Sequence, residues 1–265
     1  ANTGIGLVTA RELARQGAHV FIACRSPERA AAAVEAAKTP DGGPIESLSL
    51  DLADLASVRA CADAFLARDL PLHLLVNNAG VAGSRGLTKS GFEFAFGVNH
   101  IGHFALTRHL LDRLKRSAPA RVVTVASRAH RGARGLPPWD RLRARTQSLT
   151  GVPEYGVSKL ANILFSAALA RRLAGTGVTA YSLHPGVVAT DVWRTVPWPF
   201  RGLMKLGMIS AEDGAKTTLY CATSPTAASE TGLYYDKCAP VEPTAVARNG
   251  ALAESLWANS EAAVA

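Results

Sequence analysis

Short apolar runs alternate with longer helix-like stretches along almost the whole chain, and no other feature narrows the fold as much. Residues 18–24, 45–50, 72–76, 120–126 and 178–183 are each short, apolar and mostly rich in β-branched residues. Runs of that length, bounded by turn residues, read as buried strands. Strands separated by helices pair in parallel, because a parallel neighbour needs a crossover long enough to hold a helix. The pattern implies an α/β fold: a doubly wound parallel sheet with helices on both faces. A last strand is expected at 232–235, helices near 7–16, 30–38, 56–68, 92–115 and 211–223, and an alanine-rich helix of unsettled order after Pro243. Neither a repeat nor a linker divides the chain, so residues 1–265 are read as one domain.

In open parallel sheets, ligands bind off the carboxyl ends of the strands. Several chemistry-bearing residues fall there. Ser127 follows the run at 120–126, and His184-Pro185-Gly186 follows the run at 178–183. Tyr155 and Lys159 open a stretch in which residues 160–173 hold neither Pro nor Gly, so the two share one helix face a turn apart. An ammonium beside a phenol favours the phenolate and is expected to lower its pKa by roughly 1–3 units from about 10. A tyrosine so tuned can exchange a proton with an alcohol or a carbonyl.

The opening Gly4-Ile5-Gly6 precedes a helical stretch that Gly17 is placed to end. Glycines at a helix start bring backbone N–H groups close to a phosphate. Arg25 stands at the end of the next strand, where a basic side chain accommodates the 2′-phosphate of NADP. Asp51 and Leu52 close the second strand, and Asn78-Ala79-Gly80 supplies small residues against which a flat ring or ribose can lie. Asn99 sits inside a helical pattern, which an asparagine mildly disfavours, so a polar tie is expected for it. Residues 192–210 carry two tryptophans and several large apolar side chains between prolines. They are expected to form an apolar lid over the substrate, with a pair of core helices as the other reading.

The net charge is +8, but the arginines are spread widely and no nucleic-acid module is present, so no nucleic-acid partner is expected. The four cysteines are scattered, without C-x-x-C pairs, which argues against a zinc site or a disulfide framework and fits a reducing, cytoplasmic location. No run approaches the length of a membrane span.

With these motifs in order, the chain resembles the short-chain dehydrogenase/reductase family over nearly its full length. The stretches Asn99-His-Ile-Gly-His-Phe-Ala-Leu-Thr107, Tyr155-Gly-Val-Ser-Lys159-Leu-Ala-Asn-Ile-Leu-Phe165 and His184-Pro-Gly-Val-Val-Ala-Thr190 are similar to its retinol dehydrogenase group. The resemblance implies a Rossmann-like three-layer fold and an NADP(H)-dependent enzyme acting on CH–OH groups, its substrate a small apolar alcohol or carbonyl. It implies Tyr155 as general acid/base and Lys159 as the residue that tunes it and holds the nicotinamide ribose. Ser127 would steady the substrate oxygen and Asn99 would anchor a water of a proton relay. Gly4, Ile5 and Gly6 would line the pyrophosphate, Arg25 the 2′-phosphate, and Asp51 and Leu52 the adenine. Asn78, Ala79 and Gly80 would line the adenosine ribose, and Pro185, Gly186, Val188 and Thr190 the nicotinamide. A homodimer and contact with a membrane surface are further expectations. Other readings are a reductase of a steroid or chlorophyll-precursor carbonyl, and a non-catalytic NADP-binding sensor. The family's first strand, central in its sheet, has no counterpart in this sequence, so the strands ending at Cys24 and Asn77 are expected to lack a neighbour.

Overall fold

The structure, a computed structural model, describes residues 2–188 and 209–265. Its strands are β1 (Val20–Cys24), β2 (Ile45–Ser49), β3 (Leu74–Asn77), β4 (Ala120–Val125), β5 (Val178–His184), β6 (Tyr234–Asp236) and β7 (Ala239–Pro240). β1 and β2 pair in parallel as one piece of sheet; β3-β4-β5-β6-β7 form a second piece, parallel except for the terminal β6–β7 pair. The doubly wound order is as expected, and so is the break in it. Among the described residues no strand lies between β1 and β3. A largely apolar cleft of about 440 Å³ runs there, between Val20–Ala23 on one side and Leu74–Asn77 on the other.

Helices on both faces hold the two pieces together. On one face, α1 (Gly4–Arg15) places Ala10 against Ile22 of β1 and Leu13 in the cluster with Val123, Tyr181 and Leu183. On the other, α3 (Leu55–Leu66) and α5 (Gly102–Arg116) pack Val58, Phe65 and Leu106 against Leu48, Phe21 and Leu75. Period-2 alternation sorts the strand residues between layers. Val122 and Ala180, directly paired, join the α5 side; Val123 and Tyr181, the next pair, join the α1 side.

The long helix expected over 92–115 is interrupted. It starts as α4 (Phe94–Phe96), widens into a π turn over Gly97–Ile101, and continues as α5. Gly102 allows this path to pass close under the second strand's end: a Cβ there would lie 2.5 Å from the Leu52 carbonyl oxygen. A short α6 (Trp139–Leu142) lies in the connection before α7 (Val152–Arg172), a largely buried helix. α8 (Ala211–Thr223) covers the α1 side. The C-terminal stretch is an ordered helix, α9 (Gly250–Val264). Its Trp257 stacks on Phe165 of α7 at 5.9 Å, meets Phe104 edge-on at 4.9 Å and carries the Arg172 guanidinium at 4.2 Å. The expected lid at 192–210 lies, apart from Ile209 and Ser210, outside the described residues, as does Thr190.

Candidate active site

α7 carries the centre of the site. Its first turn starts at Gly151 in a left-handed conformation, and the Tyr155 N–H donates to the Gly151 carbonyl. Tyr155 is buried, and the Ser127 side chain lies close enough to its phenol to bear on its ionisation. Ser127 stands just beyond β4, as the sequence placed it, and caps a 3₁₀ turn over Arg128–Gly132 by accepting from the Ala129 N–H at 3.2 Å. His130 holds that turn. Its Nδ1–H donates to the Ser127 carbonyl at 2.7 Å, and its Nε2 accepts from the Thr244 N–H at 3.4 Å, which defines the tautomer.

Lys159 lies one turn further along α7, fully buried, with Nζ 5.6 Å from the Tyr155 ring centroid. Its ammonium donates to the Val125 carbonyl at 2.8 Å, an oxygen that also takes the Asn162 amide at 3.2 Å. Burial lowers the Lys159 pKa to about 7, because a charge in the interior has lost its hydration. The phenol departs from the expectation of a lowered pKa. Burial raises the Tyr155 pKa, and the Ser127 side chain opposes this only in part. The lysine is aimed at a backbone carbonyl, and its own charge is weakened by the same burial.

Asn99 is brought to the site by the π turn, and its polar tie is with protein. Its Oδ1 accepts from the Val81 N–H at 2.8 Å, and its Nδ2 donates to the Val81 carbonyl at 3.0 Å and to Ser158 Oγ at 2.9 Å. Ser158 in turn donates to the Tyr155 carbonyl at 2.8 Å. The Asn99 carbonyl accepts from His103 Nδ1–H at 2.9 Å. The asparagine thus brackets the loop after β3 to the turn of α7 that carries Tyr155. One lone pair of Oδ1 is left for a further donor. Gly80 lies in the same angle: a Cβ there would sit 3.4 Å from Lys159 Nζ and 3.6 Å from Asn99 Oδ1.

The remaining expected residues gather along the strand ends. Arg25 and Asp51, at the ends of β1 and β2, face each other at 4.0 Å with the arginine largely exposed. Asp51 also accepts from the Ala53 N–H, and Leu52 packs under Gly102. Gly4 starts α1 with φ +54°, a conformation glycine adopts at little cost, and Thr3 offers no side-chain cap to the helix N–H groups. Ile5 lies against Gly214 of α8, as does Val188, so the start of α1 and the segment after β5 converge. Asn78 and Ala79 line the inter-sheet cleft together with Gly6. Pro185 and Gly186 turn the chain out of β5, Gly186 with φ +95°.

Ser158, His103, Val81, Asn162 and His130 are the supporting residues that sequence reasoning did not identify. Ser158 alone left a usable trace, three positions after Tyr155 and so on the adjoining helix face. His103 and His130 bond the carbonyls of Asn99 and Ser127 close by in sequence, and Val81 and Asn162 act across distant segments.

A family model described as short chain dehydrogenase matches residues 1–138. Retinol dehydrogenase 12 of Mus musculus is 45% identical over 265 residues, an alignment covering 97% of this chain and 82% of that protein. Retinol dehydrogenase 11 of Homo sapiens is 42% identical over 265 residues, covering 97% and 81%. Among solved structures, a protein from Mycobacterium Paratuberculosis superposes with a TM-score of 0.79 at 36% identity, covering 100% of this chain and 90% of that one. RhlG of Pseudomonas aeruginosa, solved as an NADP active-site complex, gives 0.68 at 26% identity over 88% of this chain and 90% of that one. The sheet, the α7 helix and these relatives together place the chain in the short-chain dehydrogenase family, within its retinol dehydrogenase-like group.

Proposed function

We propose that this chain is an NADP(H)-dependent oxidoreductase that interconverts an apolar alcohol and its aldehyde or ketone. The observation that carries the proposal is a buried Tyr155 phenol beside the Ser127 side chain, with Lys159 one turn away. The residues present fit the cofactor. The uncapped N-terminus of α1 leaves N–H groups for a pyrophosphate, and Arg25 is exposed where a 2′-phosphate would lie. Gly80 keeps the space beside Lys159 open for a ribose. Bound there, NADP(H) supplies or accepts the hydride.

The protein's own groups handle the proton. In carbonyl reduction, Tyr155 gives its phenolic proton to the substrate oxygen, and in alcohol oxidation it takes that proton back. The raised phenol pKa keeps Tyr155 protonated at neutral pH, the state that reduction requires. Ser127, beside the phenol, donates to the same substrate oxygen and fixes its position. Lys159 orients the ribose hydroxyls and, when protonated, stabilises the phenolate left after proton transfer.

The test is Tyr155→Phe, assayed with NADPH against retinal, steroid ketones and long-chain aldehydes. Turnover should fall by at least about a hundredfold, the scale of general acid catalysis, with cofactor affinity retained. Undiminished turnover in the variant would refute the assignment. NADPH binding with no turnover of any member of the panel by the parent chain would favour the sensor reading.

A further inference from the structure

Just past Ser127 the chain is gripped by groups that the chemistry of the site does not use. The Arg128 N–H donates to His184 Nδ1 at 3.4 Å, and the Arg128 Nε–H donates to Asp236 Oδ2 at 2.7 Å. His184 and Asp236 close β5 and β6 and are register partners across that pair of strands. Burial holds the His184 pKa at about 4, against the pull of the Asp236 carboxylate, so the imidazole is neutral and its Nδ1 stays an acceptor. The Asp236 side chain is 9% exposed and that of Arg128 48%. The far end of the same turn is held separately: the Tyr234 ring meets His130 edge-on at 5.2 Å, and the Thr244 N–H bonds its Nε2. Arg128 is thus the residue that ties the Ser127 end of the turn to the sheet.

On its other side Asp236 leads toward the expected cofactor segments. It opens the β6–β7 connection, whose two central residues, Lys237 and Cys238, both have left-handed backbones, with φ +51° and +60°. Glycine and asparagine take that conformation readily. A lysine and a cysteine are held in it at a cost, which persists only where surrounding contacts impose it. Two contacts brace the turn: the Asp236–Arg128 pair, and the Cys238 N–H, which donates to Thr217 Oγ1 of α8 at 3.3 Å. About one turn earlier on α8, Gly214 makes room for both Val188 and Ile5: a Cβ there would lie 2.6 Å from the first and 3.1 Å from the second. Asp236 therefore stands in a continuous line of contacts that runs from Ser127 through Arg128, the hairpin turn and α8 to the two segments proposed to meet NADP(H).

We propose that Asp236 is a positioning residue of the reductase, which through Arg128 fixes the Ser127 hydroxyl in register with the cofactor segments. The role rests on the proposed function; the contacts themselves do not. An exposed ion pair contributes little by itself. Here the carboxylate is buried, and its removal frees the guanidinium to turn to water. The turn is then tied to β5 by the long 3.4 Å bond and to β6 only through His130. A reacting group displaced by about 1 Å forfeits up to about a hundredfold in rate, and the loss falls on the chemical step rather than on binding.

The experiment uses the whole chain as Asp236→Ala, because the partner left behind, Arg128, is half-exposed and can be hydrated. With NADPH and whichever carbonyl of the panel the parent reduces, kcat should fall by about tenfold or more, while the carbonyl KM and the NADPH affinity stay within about threefold. In a Ser127→Ala background the same substitution should lower kcat by no more than about twofold, since it acts through that hydroxyl. Asp236→Asn keeps an oxygen for Arg128 Nε and should restore kcat to within about threefold of the parent. Amide hydrogen exchange is the arm that needs no substrate: residues 127–133 should exchange at least about fivefold faster in Asp236→Ala, with β4 and α7 unchanged. Unaltered exchange there, or faster exchange throughout the chain, overturns the proposal, as does an equal loss of kcat with and without the Ser127 hydroxyl. A parent that turns over no carbonyl refutes the proposed function and with it the catalytic role of Asp236. Unchanged kcat in Asp236→Ala beside an active parent refutes the positioning role alone.

Discussion

Replacing Asn99 by leucine is the sharpest test of how the site is held. The side chain is completely buried and makes three hydrogen bonds, two to the Val81 backbone and one to Ser158. Leucine keeps the volume and makes none of them. Each lost bond costs about 1 kcal/mol net, and leaving the Val81 N–H without its acceptor adds about 1–3 kcal/mol. Ser158 Oγ keeps its own acceptor, the Tyr155 carbonyl, so it adds little. The added apolar contact returns about 1 kcal/mol, and the sum is a loss of about 3–5 kcal/mol. In a chain of this size that lowers the melting temperature by roughly 6–20 °C. Urea unfolding followed by tryptophan fluorescence and circular dichroism measures it. Ser158→Ala is the internal control: Asn99 Nδ2 retains the Val81 carbonyl, so this variant should lose only about 1 kcal/mol. Asn99→Leu within 1 kcal/mol of the parent, or no worse than Ser158→Ala, would refute the bracket.

Four further outcomes follow from the same structure. Burial holds His100, His103 and His184 at about 3, 4 and 4, below the ordinary 6.5. The unfolded chain therefore binds more protons as pH falls from 6.5, and stability should drop by about 1.4 kcal/mol per pH unit for each histidine down to about pH 4; a flat urea midpoint from pH 6.5 to 5 would contradict this. Lys159, lowered to about 7, should regain its proton when ribose hydroxyls solvate it. NADPH binding should then take up a proton at pH 8, seen by calorimetry in buffers of different ionisation enthalpy and absent in Lys159→Met. Arg25→Ala should erode the preference for NADPH over NADH by about tenfold or more in kcat/KM, the price of one charged hydrogen bond; an unchanged ratio would remove Arg25 from the 2′-phosphate site. Trp257→Ala should cost about 3–5 kcal/mol by opening the seam between α9 and α7, read from the urea midpoint.

Much of the fold was legible because burial imposes a period. The β4 and β5 runs are apolar on both faces, as a strand inside a parallel sheet must be, and their bounds were read to within a residue or two. The α7 helix was legible from the absence of breakers, and Tyr155 and Lys159 from their spacing. The short β7 was not, since two exposed residues closing an antiparallel edge carry no pattern. The order of α9 was not, since its alanines give little amphipathic signal and its anchor is one tryptophan meeting Phe104 and Phe165. The π turn at 97–101 was visible only as an asparagine in an unsuitable place.

What the residues decided alone was chemical identity and order: a phenol and an amine one turn apart, a hydroxyl at a strand end, glycines at a helix start, an arginine one strand later. Those follow from local geometry, which the chain carries in its own spacing. What required the folded molecule was environment. Lys159 reaches the Val125 carbonyl, Asn99 is committed to Val81 and Ser158, and the Tyr155 phenol is raised rather than lowered. Hydration is lost, and partners are gained, only when segments far apart in the chain pack together, so the pKa values and the bracket that tune the site belong to the tertiary structure.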